Sequence, residues 1–289
     1  MSTFPHAAVL LALASAFLFA LTNHFQSLGL EGSDARTGSL INIATGAAFY
    51  WLLTPLFLES WYWLTWGALL FALVGIIRPS LSSFLAIQSI HVMGPTLTSA
   101  LTASAPIFGA LFAIFLLGES LDLKTGIGIA AVIAGGVVAS YRRQGLVRDW
   151  PLWAIALPVG AAFVRASGHA VTKLGLADVP SASFAVLVSN TVSLVLVSAA
   201  FRIEGRRVTG TPRSFGWFIA SGLAAAVSLH FLNSALQIGE LIAVVPVVSA
   251  TPVFTMLLGL FVFRRERFSW RMVATIALVV PGVILVAID

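Results

Sequence analysis

The sequence predicts an all-α membrane protein with ten transmembrane helices arranged as two inverted five-helix repeats. Three observations carry that reading. Of the 289 residues, 59% are hydrophobic and only 9% charged, with a mean hydropathy of +1.00, whereas a soluble domain is charged at about a quarter of its positions. The apolar runs are continuous over about 20 residues, the length of helix that crosses a bilayer, and lack the alternation over about 10 residues that marks a membrane strand. The second half of the chain also repeats the first.

The spans read, in order, His6–Ser27, Arg36–Leu58, Tyr62–Ile87, Gly94–Leu117, Asp122–Tyr141, Pro151–Lys173, Pro180–Phe201, Arg213–Leu236, Leu241–Phe263 and Ser269–Ile288. A backbone surrounded by lipid must satisfy its own polar groups, which a helix does within one segment. The connections are too short to fold separately, so the chain divides only into its two repeats, 1–144 and 145–289. The first apolar run is long and lacks a basic cluster before it, so it reads as a span and not as a cleavable signal. Trp61, Tyr62, Trp63 and Trp66 gather at one span end, and Trp150 and Trp153 at another, as expected of anchors at headgroup level. Gly126, Ala130, Ala131 and Gly135 would let another helix approach the fifth span closely.

The repeat is legible in short matches. Ser104-Ala-Pro106-Ile-Phe108 lies thirteen residues before Glu119 and Ala250-Thr-Pro252-Val-Phe254 fourteen before Glu266, measured from each proline. A glycine, Gly135 or Gly282, follows each glutamate by sixteen residues. Ala86-Ile-Gln88 matches Ala235-Leu-Gln237, Leu28-Gly-Leu30 matches Leu174-Gly-Leu176, and Asn42 falls near Asn190. Five spans per half make the second half enter from the opposite side, an inverted arrangement that recurs in secondary transporters.

The absence of cysteine excludes disulfides and thiolate metal sites. The net charge of +5 does not point to nucleic acid, because the arginines sit in short connections where they set topology. Twelve of them (Arg36, Arg142, Arg143, Arg148, Arg202, Arg206, Arg207, Arg213, Arg264, Arg265, Arg267 and Arg271) follow odd-numbered spans, against Lys124 and Lys173 after even ones. That bias predicts odd connections in the cytoplasm and both termini outside.

The segment Ala105-Pro106-Ile-Phe108 through Leu117-Gly118-Glu119, with the glycine-rich Ala134-Gly135-Gly136-Val137, resembles the drug/metabolite transporter superfamily, specifically its EamA-type members. The second copy runs from Pro252 to Glu266 and on to Pro281-Gly282-Val283, but has Arg264-Arg265-Glu266 where Leu-Gly-Glu is typical. The resemblance covers nearly the whole chain. It implies a secondary carrier of a small metabolite, with a cavity between spans 1, 3, 4 and their mates 6, 8, 9. It also implies cytoplasmic termini, opposite to the arginine bias.

An ionisable side chain inside a membrane is costly and needs a reason. Arg78 and Arg165 fall mid-span, whereas every Asp and Glu falls near a span end or in a connection. A buried cation needs an anion, and a carboxylate or phosphate of a substrate suits a guanidinium fork. The structural alternative is that each arginine snorkels or bonds carbonyls freed near a helix break, such as the one Pro79 would create. Arg165, His169 and Thr172 share one helical face, as do His230, Asn233 and Gln237. Span 1 adds Asn23, His24 and Gln26, with Asn23 opposite His169 in the repeat. Such stripes line a wet cavity or join helices. The candidate substrate-binding set is therefore Arg78, Arg165, His169, His230, Asn233, Asn23, Gln237 and Gln88, with Phe19, Phe84 and Phe231 at its apolar end. Protons are a candidate coupling ion, through His24, His169 or His230. Pro106 and Pro252 are candidate hinges, and Glu119 and Glu266 read as structural.

No catalytic or metal-binding motif is present, so neither an enzyme nor a cofactor is expected. The expected protein is a multi-pass transporter of the cell (inner) membrane, monomer or homodimer. Its small-molecule substrate would be an anionic or zwitterionic metabolite such as an amino acid, moved by alternating access. A lipid-headgroup translocase and a non-transporting scaffold stand as alternatives. The scaffold predicts no cavity, with the arginines capped by backbone carbonyls alone.

Overall fold

A computed structural model describes residues 5–82, 85, 88, 89, 92, 93, 95–140, 151–205, 207–265 and 268–287. Its principal helices are α1 (Pro5–Leu30), α2 (Ala35–Leu52), α3 (Trp66–Ile76, continued by a π-helical turn Ile77–Ser82), α4 (Pro95–Thr102), α5 (Ala105–Leu117), α6 (Leu123–Ser140), α7 (Ala156–Asp178), α8 (Ala182–Ile203), α9 (Pro212–Ile238), α10 (Leu241–Val248), α11 (Thr251–Phe261) and α12 (Trp270–Ala287). Among the described residues, eight helical segments are long and apolar enough to cross a membrane. The other two expected spans depart from that standard for identifiable reasons. The helix α2 carries Arg36, Thr37, Ser39, Asn42 and Thr45 along its length. The third span is interrupted: α3 has only 11 residues before the π turn. Pro79 has no N–H to offer the Gly75 carbonyl, and Ser193 Oγ donates to that carbonyl instead, at 2.9 Å.

Each expected proline kink is a two-residue interruption whose backbone stays in the right-handed helical region at Ser104, and at Ser249 and Ala250. Two residues separate α4 from α5 and α10 from α11, and Pro106 and Pro252 stand in the first turn of the second piece. Both breaks are crossed by short-range bonds, Ile107 N to Ser104 O and Val253 N to Ala250 O, each 2.9 Å. Ser104 Oγ donates to Leu101 O and Thr251 Oγ1 to Val248 O, each at 2.7 Å. Thr251 thus satisfies the carbonyl that Pro252 frees, while Ser104 adds a second bond to a carbonyl that also receives its own N–H.

Packing follows the repeat. The helix α1 lies along α9 as α7 lies along α3, α2 meets α9 as α8 meets α3, and α5 meets α7 as α11 meets α1. Phe71 and Phe218, both fully buried, lie over Gly175 and Gly29. A β-carbon on either glycine would come within 2.5 or 2.4 Å of the ring. The helices α6 and α12 cross at Gly128 and Gly282, where each missing side chain faces the other backbone. Ala131 and Gly135 belong to that contact; Gly126 faces open space and does not. Of the expected anchors, Trp61, Trp63, Trp66 and Trp153 are exposed, but Tyr62 is buried against Phe184 and donates to Glu59. Trp150 lies outside the described residues.

Connections tie the ends. Asp34 caps α2, accepting from the N–H groups of Arg36 and Thr37 at 2.9 and 3.0 Å. It also accepts from Thr209 Oγ1 and Thr37 Oγ1. These bonds, that from Thr209 first, hold its carboxyl well below the usual carboxylate range. Arg36 pairs with Glu204, and Arg265 with Glu31. At the other face Glu119 receives Leu241 N–H and Ile242 N–H, each at 2.9 Å, and so caps α10. Lys173 Nζ lies 2.9 Å from Glu119 Oε1 and donates to Gly239 O at 2.5 Å. The structural reading of Glu119 therefore has a mechanism. Glu266 lies outside the described residues.

The Leu-Gly-Glu motif and its departure also acquire a cause. Gly118 is left-handed (φ 69°) and closes α5, with Glu119 N donating to Ala113 O. In the second copy Arg265 N donates to Gly259 O across the same spacing, and the left-handed residue is Arg264 (φ 53°). A side chain therefore occupies a conformation suited to glycine.

Two substitutions test these ends. Glu119→Ala removes the anion beside the half-buried Lys173 and the acceptor of two helix-start donors, a loss on the order of 2 kcal/mol; it should clearly lower the unfolding temperature in detergent. Arg264→Gly should raise that temperature by relieving about 1 kcal/mol of backbone strain; an unchanged or lower value contradicts the strain.

Candidate functional site

Between the two halves lies a cavity of about 270 Å³. Its wall comes from α1 (Phe19), α2 (Asn42, Ile43), α3 and its π turn (Phe71, Arg78, Ser82), α7 (Arg165, Thr172), α8 (Ser189, Asn190, Ser193) and α9 (Ala225, Leu229, Asn233). Among the described residues its lining takes nothing from α4, α5, α10 or α11. Those helices instead pack outside it on α7 and α1, so the second and seventh spans take the place expected for the fourth and ninth.

Arg78 and Arg165 both face this cavity. Arg78 is half-buried and Arg165 exposed, so both keep accessible surface, as a cavity wall does and a packed core does not. Among the described residues neither guanidinium has a hydrogen bond or ion pair with protein. The scaffold's two expectations, no cavity and carbonyl-capped arginines, are both unmet there. The aliphatic stem of Arg78 crosses Gly168, where a β-carbon would come within 2.5 Å of Cδ and 2.7 Å of Cγ. The glycine is thus the seat that aims Arg78. The π turn, a device frequent at functional sites, presents Arg78 and Ser82 together.

The other expected residues separate. Asn233 lines the cavity, as does Thr172, whose hydroxyl donates to Gly168 O at 2.7 Å. His169 is buried behind the wall, and its Nδ1 has no hydrogen-bond partner among the described residues. His230 meets Ser183 Oγ at 3.2 Å and stands beside Tyr50. His24 Nε2 meets Thr255 O at 2.9 Å, and its ring stacks on Phe263 at 4.3 Å. Gln237, exposed, donates to Pro180 O at 3.0 Å. Asn23 is exposed and Gln88 half-buried, and neither lines the cavity. These side chains join helices or lie away from the cavity, because the helix packing divides each polar stripe between different neighbours. Phe231 packs beside His230, and Phe84 lies outside the described residues.

Sequence reasoning missed Asn42, Asn190, Ser82, Ser189 and Ser193 as wall residues. The near-match of Asn42 and Asn190 between the repeats was the available signal. Asn42 Nδ2 donates to Ser221 Oγ at 2.8 Å. Gly46 leaves room for Asn190, whose Nδ2 would lie 2.8 Å from a β-carbon there. No group of His, Cys, Asp or Glu among the described residues could hold a metal.

A polytopic helical molecule, built of two like halves around a central polar cavity, is by class a membrane transporter. The EamA-like transporter family model matches residues 6–141 and again 152–288, and the chain belongs to that family. A solved structure described only as the crystal structure of a protein matches 96% of this chain and 95% of its own. Its TM-score is 0.82 at 16% identity, a likeness of fold alone. No curated protein matches the chain.

The seat of Arg78 is open to test. Gly168→Ala should displace the arginine at little cost in thermal stability, since a flexible side chain gives way. The affinity of any anion that binds should fall by about tenfold. Titration of wild type and variant by calorimetry checks this; equal affinities refute the seat.

Proposed function

We propose that the protein is a ten-span secondary carrier of the cell (inner) membrane that moves a small anionic or zwitterionic metabolite by alternating access. The single observation that supports this reading most is a pair of arginines, unpartnered among the described residues, on one cavity between the two halves. A guanidinium held at membrane depth gains from an anion beside it, and a solute carboxylate or phosphate can supply it as a bidentate pair. Asn42, Asn190 and Asn233 would complete its hydrogen bonds. The repeats, 1–144 and 145–289, would lie inverted about the cavity and rock against each other. The paired breaks at Pro106 and Pro252 serve as hinges, since each frees two half-helices to turn independently. Arginine-rich odd connections place the termini outside, and His169, alone among the three candidate histidines in standing beside the arginines, is the candidate for proton coupling.

Uptake into proteoliposomes reads the function directly. Arg165→Gln should lower transport of the accepted solute by at least about tenfold with the protein still folded. Undiminished uptake of every accepted solute removes the arginine clamp.

A further inference from the structure

The repeat relation sets each arginine against an unlike mate. Phe71 and Phe218 stand four residues before Gly75 and Gly222. Their rings occupy the notches of Gly175 and Gly29, while Gly75 rests on the Ser189 backbone and Gly222 on that of Asn42. These paired contacts align the halves along the cavity wall. Arg78, three residues after Gly75, corresponds to Ala225, three after Gly222. Arg165, ten before Gly175, corresponds to Phe19, ten before Gly29, and Ser82 corresponds in the same way to Leu229. All six line the cavity. Its α3–α7 wall is therefore cationic and polar, and its α1–α9 wall, built from the mates, is apolar at the equivalent positions. No Asp or Glu among the described residues lines the cavity.

Resting on the carrier reading above, we infer that the guest is a small organic anion with an apolar tail and no ammonium group. Its anionic head lies on Arg78 and Arg165 and its tail on Phe19, Ala225 and Leu229. The two guanidinium groups attract a carboxylate and repel an ammonium. The asparagines offer an ammonium only neutral acceptors, so removing it from water is not repaid. An amino acid carries the group the site rejects. The keto acid of the same skeleton keeps the carboxylate and tail and replaces the ammonium with a carbonyl oxygen, a further acceptor for a guanidinium.

The test is calorimetric titration of the full chain in nanodiscs with four probes: leucine, the keto acid of leucine, isopentylamine and pyruvate. The keto acid should bind at least about tenfold more tightly than leucine, and the amine should not bind. Pyruvate, which lacks the tail, should bind more weakly than the keto acid by about tenfold. Ala225→Phe should shrink the preference for the keto acid over pyruvate, whereas Arg165→Gln should weaken both acids alike. Leucine binding as tightly as its keto acid overturns the inference and leaves the carrier reading standing. A preference unaltered by Ala225→Phe overturns the placement of the tail. Failure of both acids to bind the folded chain overturns the inference as well. Tight keto-acid binding without counterflow in proteoliposomes supports the inference and overturns the carrier reading instead.

Discussion

The cavity exists because pairs of helices touch at glycine. Phe71 lies in the notch of Gly175 and Phe218 in that of Gly29, which fixes α3 on α7 and α9 on α1. Gly75 and Gly222 bring α8 and α2 against those pairs at backbone distance. In hydrocarbon, where no hydrophobic effect drives helices together, such close contact supplies much of the attraction. Larger residues at these positions would push the helices apart and destroy the wall on which the arginines stand.

Much of the fold was legible in the residues. Continuous apolar runs gave the helices, and the Pro–Glu–Gly matches gave the repeat. The third span read as unbroken because Pro79 alone does not disclose whether a helix kinks, ends or widens. The Ser193 hydroxyl that satisfies Gly75 comes from a distant segment. The fourth and ninth spans read as kinked for the same reason. Two hydroxyls, at Ser104 and Thr251, bond carbonyls of the preceding turn at these interruptions.

The site was legible in part. Arg78 and Arg165 stood out because an ionised group in a span must be accounted for, and both reach the cavity. The histidines and Gln237 were grouped with them by helical spacing, which reports a shared face but not which neighbour that face meets. His230 and His24 are taken up by Ser183 and Thr255. The serines of α8 carried no signal, since a serine in a span most often bonds its own helix. Ser189 does so, donating to Ala185 O at 2.7 Å.

The cap at Glu119 has a mechanical consequence. It joins the tail of one repeat's broken span to the head of the other's, and Lys173 welds the end of α7 to the same point. Three helices from both halves thus share a single fastening at one membrane face. Under the proposed rocking motion this corner would act as a pivot, since a swing of α10 would carry α5 and α7 with it and leave most of the travel to the opposite end of the bundle.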